Sequence, residues 1–65
     1  MTNKILIPPT DAELSAFRYL DQLKADGMQI GIRPLIVKYS YSEDDAMTIL
    51  KLWNKANGNY KLIER

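Results

Sequence analysis

The sequence contains no cysteine and no histidine. Without thiols no disulfide can staple the chain, and without either residue type the usual ligands of structural zinc are missing. The same absence removes the nucleophile and base pairs on which many enzymes depend, so catalysis would have to rely on Asp, Glu, Lys or Tyr. The composition therefore predicts a protein that is not an enzyme and that uses no metal and no other cofactor.

Long apolar runs and a strong net charge are also missing. Ile5–Ile7 and Leu35–Val37 are runs of three apolar residues, whereas a signal peptide needs about 7–15 and a membrane-spanning helix about 20. We therefore expect a cytoplasmic protein without a membrane partner. Nine basic and eight acidic residues leave a net charge of +1, which counts modestly against a dedicated polyanion binder.

The length of 65 residues leaves room for one domain, residues 1–65. A chain of this size buries only about 60% of the surface that its unfolded form exposes. Its core can contribute roughly 3–5 kcal/mol of stability. Because disulfides and zinc are excluded, we expect further stability to come from a homodimer.

The first helix is predicted from about Asp11 to Asp26. Thr10 and Glu13 have the spacing of a capping box, in which each residue satisfies the backbone amide of the other. Gly27 is a natural stop. Apolar residues recur at helical spacing between these two signals, at Leu14, Phe17, Leu20 and Leu23.

A second long helix is predicted over residues 42–57. Ser42 can cap its first turn, and the acidic run Glu43–Asp45 is favourable at the positive end of the helix dipole. Asn57-Gly58 is typical of a left-handed stop. One stripe carries the apolar residues, which are Ala46, Ile49, Leu50, Trp53 and Ala56. We expect Trp53 to be buried as the anchor of this helix.

The stretch between the two helices has two interpretations. Leu35, Val37, Tyr39 and Tyr41 alternate with other residues as they would in a strand. A short helix over 34–41 would instead place Pro34 in the first turn, where its missing amide costs nothing, and Leu35 and Tyr39 on one face. We favour the helix.

The terminal segments, Lys4–Ile7 and Tyr60–Ile63, are short apolar runs bounded by proline and by Asn-Gly. Either could be a strand, and pairing them would close the domain. The predicted fold is therefore mainly α (α+β), with three helices and a small two-stranded sheet made by the terminal segments.

The order of residues from Ile32 to Leu50 resembles a helix-turn-helix. Leu35 and Tyr39 match the apolar pair of its short first helix, and the run Ser40–Ser42 matches the small residue, apolar residue and hydroxyl cap of its turn. Together with the long first helix, residues 11–63 resemble the trihelical core of a winged-helix domain. In that family the segment 57–63 would begin the wing.

This resemblance implies a small DNA-binding regulator of transcription that reads duplex DNA as a homodimer, and its size would suit a bacteriophage or a mobile element. The helix 42–57 would be the recognition helix. Thr48 and Lys51 would read bases, and four basic residues would neutralise phosphates, namely Arg33, Lys38, Lys55 and Lys61. The acidic run Glu43–Asp45 opposes this role, since it would repel the phosphate backbone.

The alternative function is a protein-binding adaptor or inhibitor that uses an exposed apolar or acidic face. Convergence of the basic residues on one face would favour DNA, and an outward patch of Ile36, Met47 or Leu52 would favour a protein partner. We expect the tyrosines to pack at the edge of the core rather than to stack on bases. Carboxylate chemistry at residues 43–45 would need a distant acid such as Asp11 in the same pocket.

Overall fold

The computed structural model describes residues 5–64. Its elements, in chain order, are β1 (Leu6–Ile7), α1 (Asp11–Ala25), α2 (Arg33–Tyr39), α3 (Glu43–Ala56) and β2 (Ile63–Glu64). The predicted fold class, mainly α with three helices and a two-stranded sheet, is confirmed. Lys4, which was assigned to the first strand, lies outside the described residues. Within the described range no helix has the length and apolar character that crossing a membrane requires.

Helix α1 begins with the predicted capping box. The Glu13 amide donates to Thr10 Oγ1 at 3.1 Å, and the Thr10 amide donates to Glu13 Oε1 at 2.9 Å. The helix ends at Asp26 as its cap, followed by Gly27 with φ +72°. Both signals act through hydrogen bonds between near neighbours in the chain, which is why the sequence alone located this helix.

The stretch that had two interpretations forms a helix, α2, of seven residues. Pro34 lies in its first turn, as the helical interpretation required. Ser40 ends the helix in the left-handed conformation, with φ 58° and ψ 32°, and its amide donates to the Ile36 carbonyl at 2.9 Å. Only the turn Ser40–Ser42 separates α2 from α3.

We expect Ser40→Gly to stabilise the protein by about 1 kcal/mol, because a left-handed backbone strains any residue with a Cβ. In a domain of this size that gain raises the melting temperature by about 4–8 °C. Ser42→Gly is the matched control: Ser42 has φ −69° and caps α3, so its loss should lower stability by a few tenths of a kcal/mol. Thermal denaturation followed by circular dichroism measures both, and an unchanged or lower melting temperature for Ser40→Gly would contradict the assignment of strain.

The core lies where α3 packs against α1, α2 and β2. Its buried members are Ala16, Phe17, Leu20, Leu35, Ala46, Ile49, Leu52, Trp53 and Ile63. The predicted stripe of α3 omitted one core residue, Leu52, which is buried. Leu50 and Ala56 are half-buried and pack against the core. β2 packs against α3 in addition to α1 and α2. More of the surface of α3 is therefore buried than two helices alone would bury.

The two strands pair antiparallel, with Leu6 opposite Glu64 and Ile7 opposite Ile63. Ile63 is fully buried and completes the core, while all of β1 remains exposed. The strand that follows α3 therefore pairs with the segment before α1. In the described residues this pairing takes the place of the hairpin that a winged-helix domain would form after its third helix.

Candidate nucleic-acid interface

A hydrogen-bonded cluster around Asp21 holds α3 in a set orientation on α1. Asp21 Oδ1 accepts from Trp53 Nε1 at 3.0 Å. The Tyr60 hydroxyl donates to the same carboxylate, at 2.8 Å from Oδ1 and 2.7 Å from Oδ2. The Tyr60 ring also stacks on Phe17, with ring centroids 5.1 Å apart. These contacts join α1, α3 and the segment that leads to β2, and they determine which face of α3 reaches solvent. Trp53 is buried, as predicted.

Burial of the Tyr60 hydroxyl and its hydrogen bond to Asp21 raise the pKa of Tyr60 from 10.0 to about 12. The Asp21 carboxylate adds to this shift by charge repulsion. The folded protein thus holds the phenol proton more tightly than the unfolded chain does. The resulting stabilisation is complete below pH 10 and is lost as the pH rises from 10 to 12, where only the unfolded chain releases this proton.

We expect the stability of the wild-type protein to fall between pH 10 and pH 12 more steeply than that of Tyr60→Phe. The variant keeps the stacked ring but has no proton to lose, and at pH 7 it should be less stable by about 1 kcal/mol, the worth of a typical hydrogen bond. Urea denaturation at several pH values measures the difference. Equal slopes for both proteins would show that Tyr60 is not the group responsible.

The face of α3 opposite the core is polar and exposed. It carries Asp44, Met47, Thr48, Lys51, Asn54 and Lys55. The predicted residues Thr48, Lys51 and Lys55 thus share one surface. Thr48 Oγ1 donates to the Asp44 carbonyl at 3.0 Å, so its hydroxyl proton is used inside the helix and its lone pairs face outward. Asn54 was not predicted, although its spacing of three residues from Lys51 placed it beside that lysine.

Lys55 and Lys61 lie toward the end of α3 that meets β2. Lys55 Nζ is 3.7 Å from the Glu64 carboxylate, and both side chains are substantially exposed. Lys61 is exposed in the loop before β2, where its amide donates to Asn59 Oδ1 at 3.3 Å. Lys55 thus lies in the last turn of α3, and Lys61 lies in the loop that follows the helix.

Arg33 and Lys38, the other two predicted residues, border a different surface. Lys38 Nζ lies 4.9 Å from the centroid of the Tyr19 ring on α1. Arg33 and Tyr19 together line a groove that contains no residue of α3. The structure therefore brings Thr48, Lys51 and Lys55 together on α3 and leaves Lys61 in the loop after that helix. Arg33 and Lys38 lie on α2.

The tyrosines near α2 pack on one another, as predicted for residues at the edge of the core. Tyr39 meets Tyr19 edge to face at 5.9 Å and stacks on Tyr41 at 5.4 Å. The Tyr39 hydroxyl donates to the Ser15 carbonyl at 3.2 Å. Burial raises the pKa of Tyr41 above its usual value of 10.0, with smaller contributions from neighbouring groups. This cluster joins α2 to α1.

The acidic run Glu43–Asp45 is exposed and forms the first turn of α3. Ser42 Oγ accepts from the Asp45 amide at 3.1 Å, which caps the helix. None of these carboxylates lines the groove beside α2 or the pocket next to Asp21 and Trp53, and residues 5–64 contain no group of three side chains placed to hold a metal ion. The run therefore acts on the helix dipole, which is favourable to α3 and unfavourable to a nearby anion.

The apolar patch that would favour a protein partner does not form from the three residues considered. Leu52 is buried and Ile36 is half-buried, which leaves Met47 as the exposed member. Exposed apolar side chains lie elsewhere, most prominently Val37, with 77% of its surface in solvent, and Met28, with 58%. Both belong to the groove beside α2.

Family models, curated proteins and solved structures were all compared with the chain, and none of them matches it. The function of the protein therefore has to be inferred from its surfaces.

Proposed function

We propose that the protein is a small cytoplasmic regulator that binds duplex DNA through the polar face of α3. The observation that carries this proposal is the turn Ser40–Ser42, which joins a short helix to a longer one whose outer face is free of core contacts. A three- or four-residue turn between two helices is the arrangement that presents the second helix to the major groove.

The side chains on this face have the chemistry that reading bases requires. Lysine donates to the O6 and N7 atoms of guanine, asparagine pairs with adenine, and threonine bonds to either. Lys51, Asn54 and Thr48 are the corresponding residues of α3. In this proposal Lys55 and Lys61 neutralise phosphates. The exposed pair of Lys55 with Glu64 contributes at most about 1 kcal/mol, so a phosphate can replace it.

The acidic first turn limits how this helix approaches DNA. Glu43, Asp44 and Asp45 repel the phosphate backbone, so the middle and last turns of α3 have to provide the attraction. We therefore expect the protein to bind random DNA sequences with modest affinity. Tighter binding should require contacts with the bases.

A homodimer would supply the affinity that one module lacks. A single DNA-binding module buries about 600–1,000 Å² of protein surface, and a two-fold dimer doubles the contacts by reading half-sites about 34–36 Å apart. The homodimer is part of the proposal, and a palindromic target follows from it.

Titration of random-sequence duplex DNA against salt tests the proposal. Affinity measured by fluorescence anisotropy should fall as salt rises from 50 to 200 mM, with a logarithmic slope of about −0.9 for each phosphate neutralised. Lys55→Gln should reduce the slope by about 0.9, and Asp44→Asn should raise the affinity. Arg18→Gln, which removes the same charge from the exposed face of α1, is the matched control.

Two results would contradict DNA binding through α3. One is the absence of any binding at 50 mM salt. The other is an equal loss of affinity in Arg18→Gln and Lys55→Gln, since that would indicate attraction to the whole molecule rather than to one face.

A further inference from the structure

The groove beside α2 exposes apolar side chains to solvent, and the packing of the core does not account for them. It has a volume of about 580 Å³ between α1, the connection from α1 to α2, and α2 itself. Its apolar lining includes Tyr19, Met28, Ile30, Pro34 and Val37. Val37 is the most exposed of the large apolar side chains in residues 5–64, and valine favours a helix less than lysine or glutamate does. Neither packing nor helix propensity accounts for a valine at this position.

The charged residue that lines the groove is basic. No acidic residue occurs from Gly27 to Ser42, and the charged residues in that stretch are Arg33 and Lys38. Arg33 lines the groove, and the Lys38 ammonium lies against the Tyr19 ring in its wall. The surface therefore combines an apolar floor with a cationic border, although the whole chain has a net charge of only +1.

We propose that this groove binds an amphipathic, acidic helix of a partner protein. Apolar side chains at positions i, i+3 or i+4 and i+7 of such a helix would cover Met28, Ile30 and Val37. Carboxylates beside that stripe would meet Arg33, whose guanidinium binds a carboxylate through two hydrogen bonds. No strand of the described residues borders the groove, so a partner cannot bind there by adding a strand to a sheet. The affinity therefore has to come from side-chain contacts.

The groove and the polar face of α3 are separate surfaces, because no residue of α3 lines the groove. One molecule could therefore hold DNA and a partner helix at the same time. This inference does not depend on the proposed function. If the protein binds such helices but does not bind duplex DNA, this inference stands and the DNA-binding proposal is refuted.

The test is a selection from a phage-displayed library of random 16-residue peptides against the immobilised full chain. Enriched peptides should carry apolar residues at helical spacing together with aspartate or glutamate. Their affinity, measured by fluorescence anisotropy, should fall at least tenfold for Val37→Glu and for Arg33→Glu. Ala12→Glu adds the same negative charge as Val37→Glu at an exposed position of α1 outside the groove, and its affinity should stay within twofold of wild type.

Val37→Glu introduces a better helix former at an exposed site, so the variant should fold, and circular dichroism verifies this. The proposal is overturned if no peptide is enriched, if the enriched peptides lack acidic residues, or if they bind Val37→Glu as tightly as wild type. It is also overturned if sedimentation shows a dimer that Val37→Glu dissociates, because a second copy of the chain would then occupy the groove.

Discussion

Replacement of Phe17 by alanine is expected to leave most molecules unfolded at 25 °C. Phe17 is fully buried at the centre of the core and stacks on Tyr60. Truncation of a buried phenylalanine costs about 3–5 kcal/mol, from lost burial and from the cavity that remains. A core of this size provides roughly 3–5 kcal/mol in total, so the substitution removes most or all of the stability. Far-UV circular dichroism and urea denaturation measure the loss.

Arg18→Ala is the neighbouring control for Phe17→Ala, since Arg18 is the next residue of α1 and is exposed. Its stability should stay within about 0.5 kcal/mol of wild type. Phe17→Leu should lie between the two, because leucine fills part of the volume. If Phe17→Ala unfolded cooperatively at the same urea concentration as the wild-type protein, the central position assigned to this ring would be refuted.

Replacement of Ile63 by alanine is expected to destabilise the protein by about 2–5 kcal/mol, the range observed for a buried isoleucine. Ile63 is only 1% exposed, although it lies in a strand of two residues near the end of the chain. It belongs to the same buried cluster as Leu52 and Trp53 of α3. Its loss would open the core at the place where β2 covers α3.

Leu62→Ala provides the control for this prediction, because Leu62 is the adjacent residue and is 51% exposed. The two substitutions therefore remove similar groups from opposite environments. Leu62→Ala should change the urea midpoint little, while Ile63→Ala should lower it strongly. If both variants were equally stable, β2 would not be part of the core.

The two long helices could be predicted because their signals are local. The capping box of Thr10 and Glu13, the cap at Ser42 and the stop at Asn57 act within one turn of the chain. The middle helix was harder, since Leu35, Val37 and Tyr39 fit a strand as well as a helix. Pro34 in the first turn and the burial of Leu35 against the other helices resolve the ambiguity in favour of the helix.

The candidate surface could be predicted only in part. Thr48, Lys51 and Lys55 share a face because helical spacing within one element places them together. The separation of Arg33 and Lys38 from that face depends on how α2 lies against α1, which spacing along the chain does not express. The groove beside α2 was not predicted, because its lining comes from α1, a connection and α2.

By itself, the sequence excluded chemistry that needs cysteine or histidine, and it located the two long helices with their caps. It also indicated that the terminal segments pair, although β2 is Ile63–Glu64 rather than residues 60–63. These properties depend on composition or on contacts between residues a few positions apart. The tertiary structure decided that Leu52 and Ile63 are buried, that Val37 is exposed, and that Arg33 lines a groove apart from the lysines of α3. Each of those outcomes depends on packing between elements that are distant in the chain, where a small rotation of one helix exchanges its buried and exposed residues.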